Sequence, residues 1–478
     1  MISSNKSKRD FFISIITVIS TAVITSFFIT RYTRGGQFLA VLAGLGILMF
    51  LTKPIYWFYP IMIFFWYPSV LGNRVLSNFL PVATLAEIYF YVCFLLFIGI
   101  SALKKRDIIK YISNTPLLLP IILFFIGACI SFRFGGHFYG PYEYALFRKN
   151  CIYGPLVYLL ATGMIRRDLD SEMLSLALLI GTCLFGVYIY SHYYGWGGAP
   201  LIDAPGRLGT QDTLKDTLRF YINPNLLGHQ MAMLIPLATA FYVGSKKIYQ
   251  RYISIIAVIF LCFILAISGA RAAMAGAFCG ICVVLLLSLR FGVLSFSKLF
   301  LSLRRLFFFA ITVVIAGYIL GGFNEMVSDR LQSIIYFQTD PSYLGRTRIW
   351  LSLLKLFLQN PIGMGFREVY NLGYVSASPH SVYLSLGLQT GILGLGSFLW
   401  FIIAWGNRIF ISLKNTQSVN KVVFIAVIGG MSAFLVGGFF EHLTYNASIN
   451  MFTMWALCGI GMGHAAIQIP LTKQGRQS

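Results

Sequence analysis

Acidic residues are scarce: 15 Asp and Glu stand against 37 Lys and Arg in 478 residues, and all charged types together make up 11% of the chain. A soluble domain carries roughly 25% charged residues, so a water-soluble domain of any size is excluded. The sequence also lacks a Walker phosphate loop, a dinucleotide fingerprint, a His-x-x-x-His pair and any cysteine–histidine set at metal spacing. No cofactor and no metal site is expected. The eight cysteines all fall in apolar runs, which implies no disulfide framework. Cys279-Gly-Ile-Cys282 has redox spacing, but inside an apolar helix it reads as small-residue packing. No repeat with a period of about 20–50 residues is evident, which disfavours a repeat-built transporter.

What the sequence does contain is hydrophobic length. Hydrophobic residues make up 58% of the chain, and apolar runs recur that can each cross a bilayer core of about 30 Å. The expected fold is therefore all-α, a polytopic membrane protein forming a single integral membrane domain over residues 1–478. Phe11–Thr30 follows Lys6, Lys8 and Arg9 and is read as a retained first helix. Further spans fit near 37–52, 54–70, 82–102, 116–131, 152–165, 173–194, 226–244, 252–269, 272–290, 306–322, 381–403, 422–440 and 447–468. Short basic segments fix the orientation: Lys104-Lys-Arg106, Arg166-Arg167, Lys246-Lys247 with Arg251, Lys298 with Arg304-Arg305, and Lys414 with Lys421 belong in the cytoplasm. The count is about 12–14 crossings.

A net charge of +22 would suggest nucleic acid in a soluble protein. Here the positive-inside rule explains much of the excess, and no nucleic-acid partner is expected. The remainder sits on the wrong side. The long outer loops 132–151, 195–225 and 323–380 hold Arg133, Arg148, Arg207, Arg219, Arg330, Arg346, Arg348 and Arg367, and Arg271 sits at an outer helix junction. Arginine presents a planar, permanently charged fork matched to phosphate oxygens. As a set, these residues point to an anionic ligand on the outer face, although any single one could pair with an outer acid or a lipid headgroup.

Four motifs carry the chemistry. In "APGRLGTQDTLKDTLRFYINPNLLGHQ", Arg207 and Arg219 precede Asn223-Pro-Asn225, where Asn225 is an expected N-cap for a helix beginning near Leu226. "AISGARAAMAG" puts Ser268, Gly269 and Arg271 between two apolar runs with almost no loop, and an arginine at membrane depth is a functional candidate by default. "LGRTRIWLSLLKLFLQNPIGMGF" reads as an outer interfacial helix with Trp350, Leu353, Leu354 and Phe357 towards lipid or the bundle. Finally, His380 follows Pro379, ends the longest outer loop and precedes a helix with Gly387, Gly391 and Gly394. A histidine side chain, with an ordinary pKa of about 6.5, accepts a proton near neutral pH. Asp168-Leu-Asp170 is formally a metal–diphosphate clamp, but beside Arg166-Arg167 it reads as a cytoplasmic helix-start pair.

His380-Ser381, nine residues, then Gly391-Ile-Leu-Gly394 resembles the histidine signature of the bacterial O-antigen ligases, which share a superfamily with the Wzy-type O-antigen polymerases. The resemblance extends in order to "RLG…NPN" (207–225), "SGAR" (268–271), "GRTRIW" (345–350) and "NPIGMGF" (360–366), and covers a core of about residues 205–405. The Arg-x10-Gly repeat of some such polymerases occurs on none of the outer arginines.

The resemblance implies a GT-C-like glycosyltransferase of the bacterial inner membrane with its active site on the outer face. Such an enzyme moves glycan from undecaprenyl diphosphate to a hydroxyl acceptor, inverting the anomeric centre without metal. It implies catalytic roles for His380, Arg271 and Arg346 or Arg348, with Arg207, Arg219 and Arg367 helping to bind diphosphate or glycan. Expected partners are the lipid-linked glycan, membrane lipid, and flippase and chain-length regulator proteins. Polymerisation of lipid-linked repeat units is the favoured activity, ligation to lipid A-core or another acceptor the alternative, and a lipid-linked glycan flippase the rival of another class.

Overall fold

The computed structural model of the protein describes residues 58–59, 61–62, 90–91, 93–95, 97–98, 115–135, 141–193, 224–297, 304, 341–366, 380–416, 420–441 and 449–468. The spans expected near 11–30, 37–52 and 306–322, and most of those near 54–70 and 82–102, lie outside the described residues.

All regular elements among the described residues are helical: α1 (Leu118–Phe134), α2 (Pro141–Phe147), a π-helical segment (Arg148–Tyr153), α3 (Gly154–Met164), α4 (Asp168–Tyr193), α5 (Pro224–Gly244), α6 (Ile248–Ser268), α7 (Arg271–Arg290), α8 (Pro341–Gln359), α9 (Val382–Asn415), α10 (Lys421–Phe440) and α11 (Ile449–Gln468). Six of them are long and apolar enough to cross a membrane. The protein is an all-helical, polytopic membrane protein. Helices follow from the solvent: in hydrocarbon, each backbone polar group needs a partner within its own segment.

Small residues set the packing. The central helix α5 is buried along almost its whole length. A methyl group on Gly280 of α7 would lie 2.5 Å from Pro236 Cγ of α5 and 2.6 Å from the Gly429 carbonyl of α10. One on Gly276 would lie 2.7 Å from the Ala433 carbonyl. Close backbone approach of this kind drives helix association in lipid, where apolar side chains gain nothing by leaving their surroundings. Large apolar side chains on the rim, among them Tyr252, Ile256, Phe278 and Leu286, are exposed and suit a lipid-facing surface.

The bundle has two polar ends. α5 and α10 run antiparallel, Asn225 opposite Glu441 and Met233 opposite Gly430. At one end lie the chain turns 165–167 and 245–247, the end of α9 and the start of α10, with Arg166, Arg167, Lys246, Lys247, Lys414 and Lys421. Here Asp170 receives the amides of Arg166 and Arg167 at 3.1 and 3.0 Å and the Arg167 guanidinium at 2.9 Å. Asp168 receives Asn420 at 2.9 Å and Gln468 at 2.5 Å. Both acids lie at the start of α4, and Asp168 ties it to the start of α10 and to α11. Glu441 caps the far end of α10, and 20 residues of helix separate the two ends by about 30 Å.

The stretch 132–151 was expected as an outer loop, yet residues 141–153 are helical and run straight into α3. Arg148 and Lys149 are buried there, with the Arg148 guanidinium 5.9 Å from the Tyr144 ring centre. The wider π turn and the aromatic face hold the cation within the bundle. The helix expected from "LGRTRIW" is α8, with Leu353 buried and Leu354 exposed, because consecutive positions are about 100° apart.

Candidate active site

His380 immediately precedes Ser381, the N-cap of α9, and has a left-handed backbone, with φ of 46°. A non-glycine residue there costs roughly 1–2 kcal/mol. That conformation turns the chain so that its ring leaves the helix axis and meets α10. The start of α9 is fastened to α10 by the Tyr383 hydroxyl, which donates to the Leu435 carbonyl at 3.0 Å, and by the Tyr383 ring against Phe439. His380 Nδ1 then lies 3.0 Å from Glu441 Oε1, and the amide of Asn225 donates to Glu441 Oε2 at 2.8 Å.

The Glu441 side chain is 1% exposed and that of His380 is 25% exposed. A buried carboxylate is expensive unless hydrogen-bonded, and here each oxygen has a bond. Sequence reading missed Glu441. The available clue was an acid at the end of an apolar helix, after Phe439-Phe440, in a chain with few acids. Asn225, expected as an N-cap, lies instead inside α5, which begins at Pro224, and its side chain reaches across to Glu441.

Arg271 is the first residue of α7, and "SGAR" is a tight helix–helix turn. Gly269 closes α6 in the left-handed conformation at φ 62°, its amide on the Ala266 carbonyl at 3.1 Å. The Ser268 hydroxyl donates to the Leu265 carbonyl at 2.7 Å and accepts the Ala270 amide at 3.3 Å. This turn abuts the start of α5: a methyl on Gly228 would lie 2.5 Å from Ala270 Cβ. Gly276 packs at Ala433 and Gly437 of α10, so Arg271, more than a turn earlier, comes level with Glu441. His229, one turn deeper than Asn225, packs its ring directly on Gly437.

α8 comes to this end by an unusual route. α9 breaks at Gly391, with φ 69° and ψ −174°, which separates the Ile392 amide from its helical partner, the Leu388 carbonyl. The loop after α8 fills the gap. The Pro361 carbonyl accepts the Ile392 amide at 2.8 Å, and the Met364 amide donates to the Leu388 carbonyl at 2.6 Å. The Gly365 amide donates to Ser131 Oγ of α1 at 2.9 Å. "NPIGMGF" is thus inserted into one helical hydrogen bond of α9, and both the Ile392 amide and the Leu388 carbonyl find partners as hydrocarbon requires.

Held there, α8 lays Arg346 against α10, where its guanidinium donates to the Phe440 carbonyl at 3.0 Å and Trp350 packs on the Phe440 ring. Arg348, two positions on, is exposed on another face, since residues i and i+2 of a helix do not face one way. The structure therefore brings His380, Arg271 and Arg346 to one end, with Asn225 and Glu441, and turns Arg348 away. Arg207, Arg219 and Arg367 lie outside the described residues.

Residues 256–399 match the O-antigen ligase family model. This stretch, less than half of the chain, is similar to that family. It includes Arg271, Arg346, Arg348, Arg367 and His380, whereas Asn225 and Glu441 come from either side of it. The carboxylate that meets His380 is therefore supplied from beyond the matched segment. No curated protein matches the chain.

Proposed function

We propose that the protein is a bacterial membrane glycosyltransferase of surface-polysaccharide synthesis. The observation that carries this reading is a histidine paired with a buried carboxylate, beside arginines, at one end of a lipid-embedded bundle that includes the family-matched segment. The donor is a glycan on undecaprenyl diphosphate, and the acceptor is a hydroxyl at the outer leaflet. The basic turns at the opposite end favour the cytoplasm there, which leaves the His380 end facing outward from the inner membrane.

The chemistry divides between two groups. A sugar C1–O bond to diphosphate is already activated, so the enzyme has to stabilise the leaving group and deprotonate the acceptor. Arg271 and the remaining donors of Arg346 stabilise the negative charge that develops on the diphosphate, most effectively where water is scarce. His380 takes the proton as the acceptor oxygen attacks C1 from the face opposite the leaving group. The C1–O bond to diphosphate breaks with its electron pair staying on diphosphate, and the new glycosidic bond has inverted configuration. Arg207, Arg219, Arg348 and Arg367 bind the glycan or the lipid phosphates. The reaction requires no metal.

The favoured acceptor is another lipid-linked repeat unit, which makes the enzyme a polymerase working beside a flippase and a chain-length regulator. The matched family's description, O-antigen ligase, favours a second reading in which the chain passes to lipid A-core or another surface acceptor. Deletion followed by gel analysis of surface glycan and its lipid-linked precursors separates these. Accumulated single repeat units support polymerisation, and long chains stranded on the lipid carrier support ligation. Units trapped on the inner leaflet would instead indicate a flippase and overturn the glycosyltransferase reading.

A further inference from the structure

We propose that Glu441 and Asn225 are positioning residues that hold His380 in the one tautomer able to accept the acceptor's proton. The inference rests on the glycosyltransferase reading but concerns two residues outside the matched family segment. An ionised carboxylate only accepts hydrogen bonds. With Glu441 Oε1 at 3.0 Å, the Nδ1 of His380 carries the ring proton, and the lone pair is left on Nε2. The amide of Asn225, 2.8 Å from Oε2, fixes which way the carboxylate faces.

The geometry is specific in three ways. Glu441 follows α10 in extended backbone, and its side chain is almost fully enclosed, so it has little freedom to swing away. His380 is held in a left-handed conformation, so its ring direction is set by the backbone as well as by its partner. Asn225 lies in α5, His380 two residues before α9 and Glu441 at the C-cap of α10, and α5 and α9 each meet α10 at close glycine contacts. When His380 takes the acceptor's proton on Nε2, the ring becomes an imidazolium. Glu441 then faces a full positive charge across an existing hydrogen bond, which stabilises the protonated ring at the moment it forms.

Replacing Glu441 by glutamine keeps the shape but removes both the negative charge and one acceptor. Asn225 needs an acceptor from the amide introduced, whose NH2 group is then turned towards Nδ1. That arrangement favours the Nε2–H tautomer, which has no lone pair where the acceptor hydroxyl must bind.

The test uses full-length protein in lipid nanodiscs with a lipid-linked glycan donor. Glu441→Gln should lower kcat by roughly 10²-fold or more with little change in KM, as loss of general-base function does. Glu441→Asp should restore part of the rate, and Asn225→Ala should cost about 10-fold. Histidine 15N NMR supplies a readout that a merely structural residue would not move. Wild type should show a neutral His380 ring protonated on Nδ1, assigned by its loss in His380→Asn, and Glu441→Gln should shift it towards Nε2–H. A wild-type ring protonated only on Nε2 would overturn the inference without any substitution at Glu441. So would wild-type turnover in Glu441→Gln when His380→Asn is inactive. Full turnover in His380→Asn would instead remove the proposed function itself.

Discussion

The guanidinium of Arg346 donates to the carbonyl of Phe440 at 3.0 Å, so an arginine of the family-matched segment grips the residue immediately before the carboxylate partner of His380. That bond occupies one of the five N–H donors of an arginine and leaves others for an oxyanion. Arg346 is thus both a fastening for the Glu441 backbone and a candidate anion ligand. Arg348 is exposed on another face of α8.

The two arginines should separate kinetically. Arg346→Lys keeps the charge but lacks the planar fork, and should lower kcat by about 10-fold, with Arg346→Ala lower still. Arg348→Ala should raise KM for the lipid-linked donor with kcat little changed. Steady-state turnover against donor concentration measures both, and the reverse pattern would contradict the assignment.

Arg271→Ala should lower kcat by roughly 10²-fold or more while the protein remains in the membrane at normal levels. The turn before Arg271 is held by the Ser268 hydroxyl and by the Gly269 and Ala270 amides. Unaltered turnover would take Arg271 out of the mechanism.

Gly391→Ala should destabilise the protein by about 1–3 kcal/mol. Its φ of 69° disfavours a side chain, and a methyl there would overlap the Ile362 carbonyl of the inserted loop. Gly396→Ala, on the same helix with nothing within 4 Å of the added methyl, should be neutral or stabilise by up to about 1 kcal/mol. Melting curves in one detergent compare the pair, and equal stability of the two would contradict the account of the helix break.

Chelators should leave turnover intact. Asp170→Ala should lower the melting temperature, since its carboxylate holds two backbone amides and the Arg167 guanidinium at the start of α4. Activity lost with a chelator and restored by a divalent cation would revive the Asp168–Asp170 clamp.

Much of the architecture was legible because hydrocarbon imposes simple rules. Apolar length marked α5, α6, α7, α9 and α10, and the basic segments marked one end of the bundle. His380, Arg271 and Arg346 stood out as polar residues at apolar boundaries, which is a local property. Glu441 did not, since its meaning depends on partners 61 and 216 positions away in sequence. The glycines after His380 were read as helix packing, and Gly394 does pack against Gly127 of α1. Gly391 does something else: it opens the helix for a loop that begins 30 residues earlier, a non-local fit that no periodicity encodes. The π-helical burial of Arg148 and Lys149 was hidden for the same reason, since charge in a sequence reads as solvent exposure until an aromatic face is placed beside it.

The most direct measurement compares purified wild-type protein and His380→Asn in nanodiscs supplied with undecaprenyl-diphosphate-linked glycan. Asparagine tolerates the left-handed backbone and can still donate to Glu441, but it cannot act as a base. The account predicts glycan transfer by wild type, and a fall of roughly 10²-fold or more in a variant that melts at the wild-type temperature. Transfer at the wild-type rate by His380→Asn would contradict it.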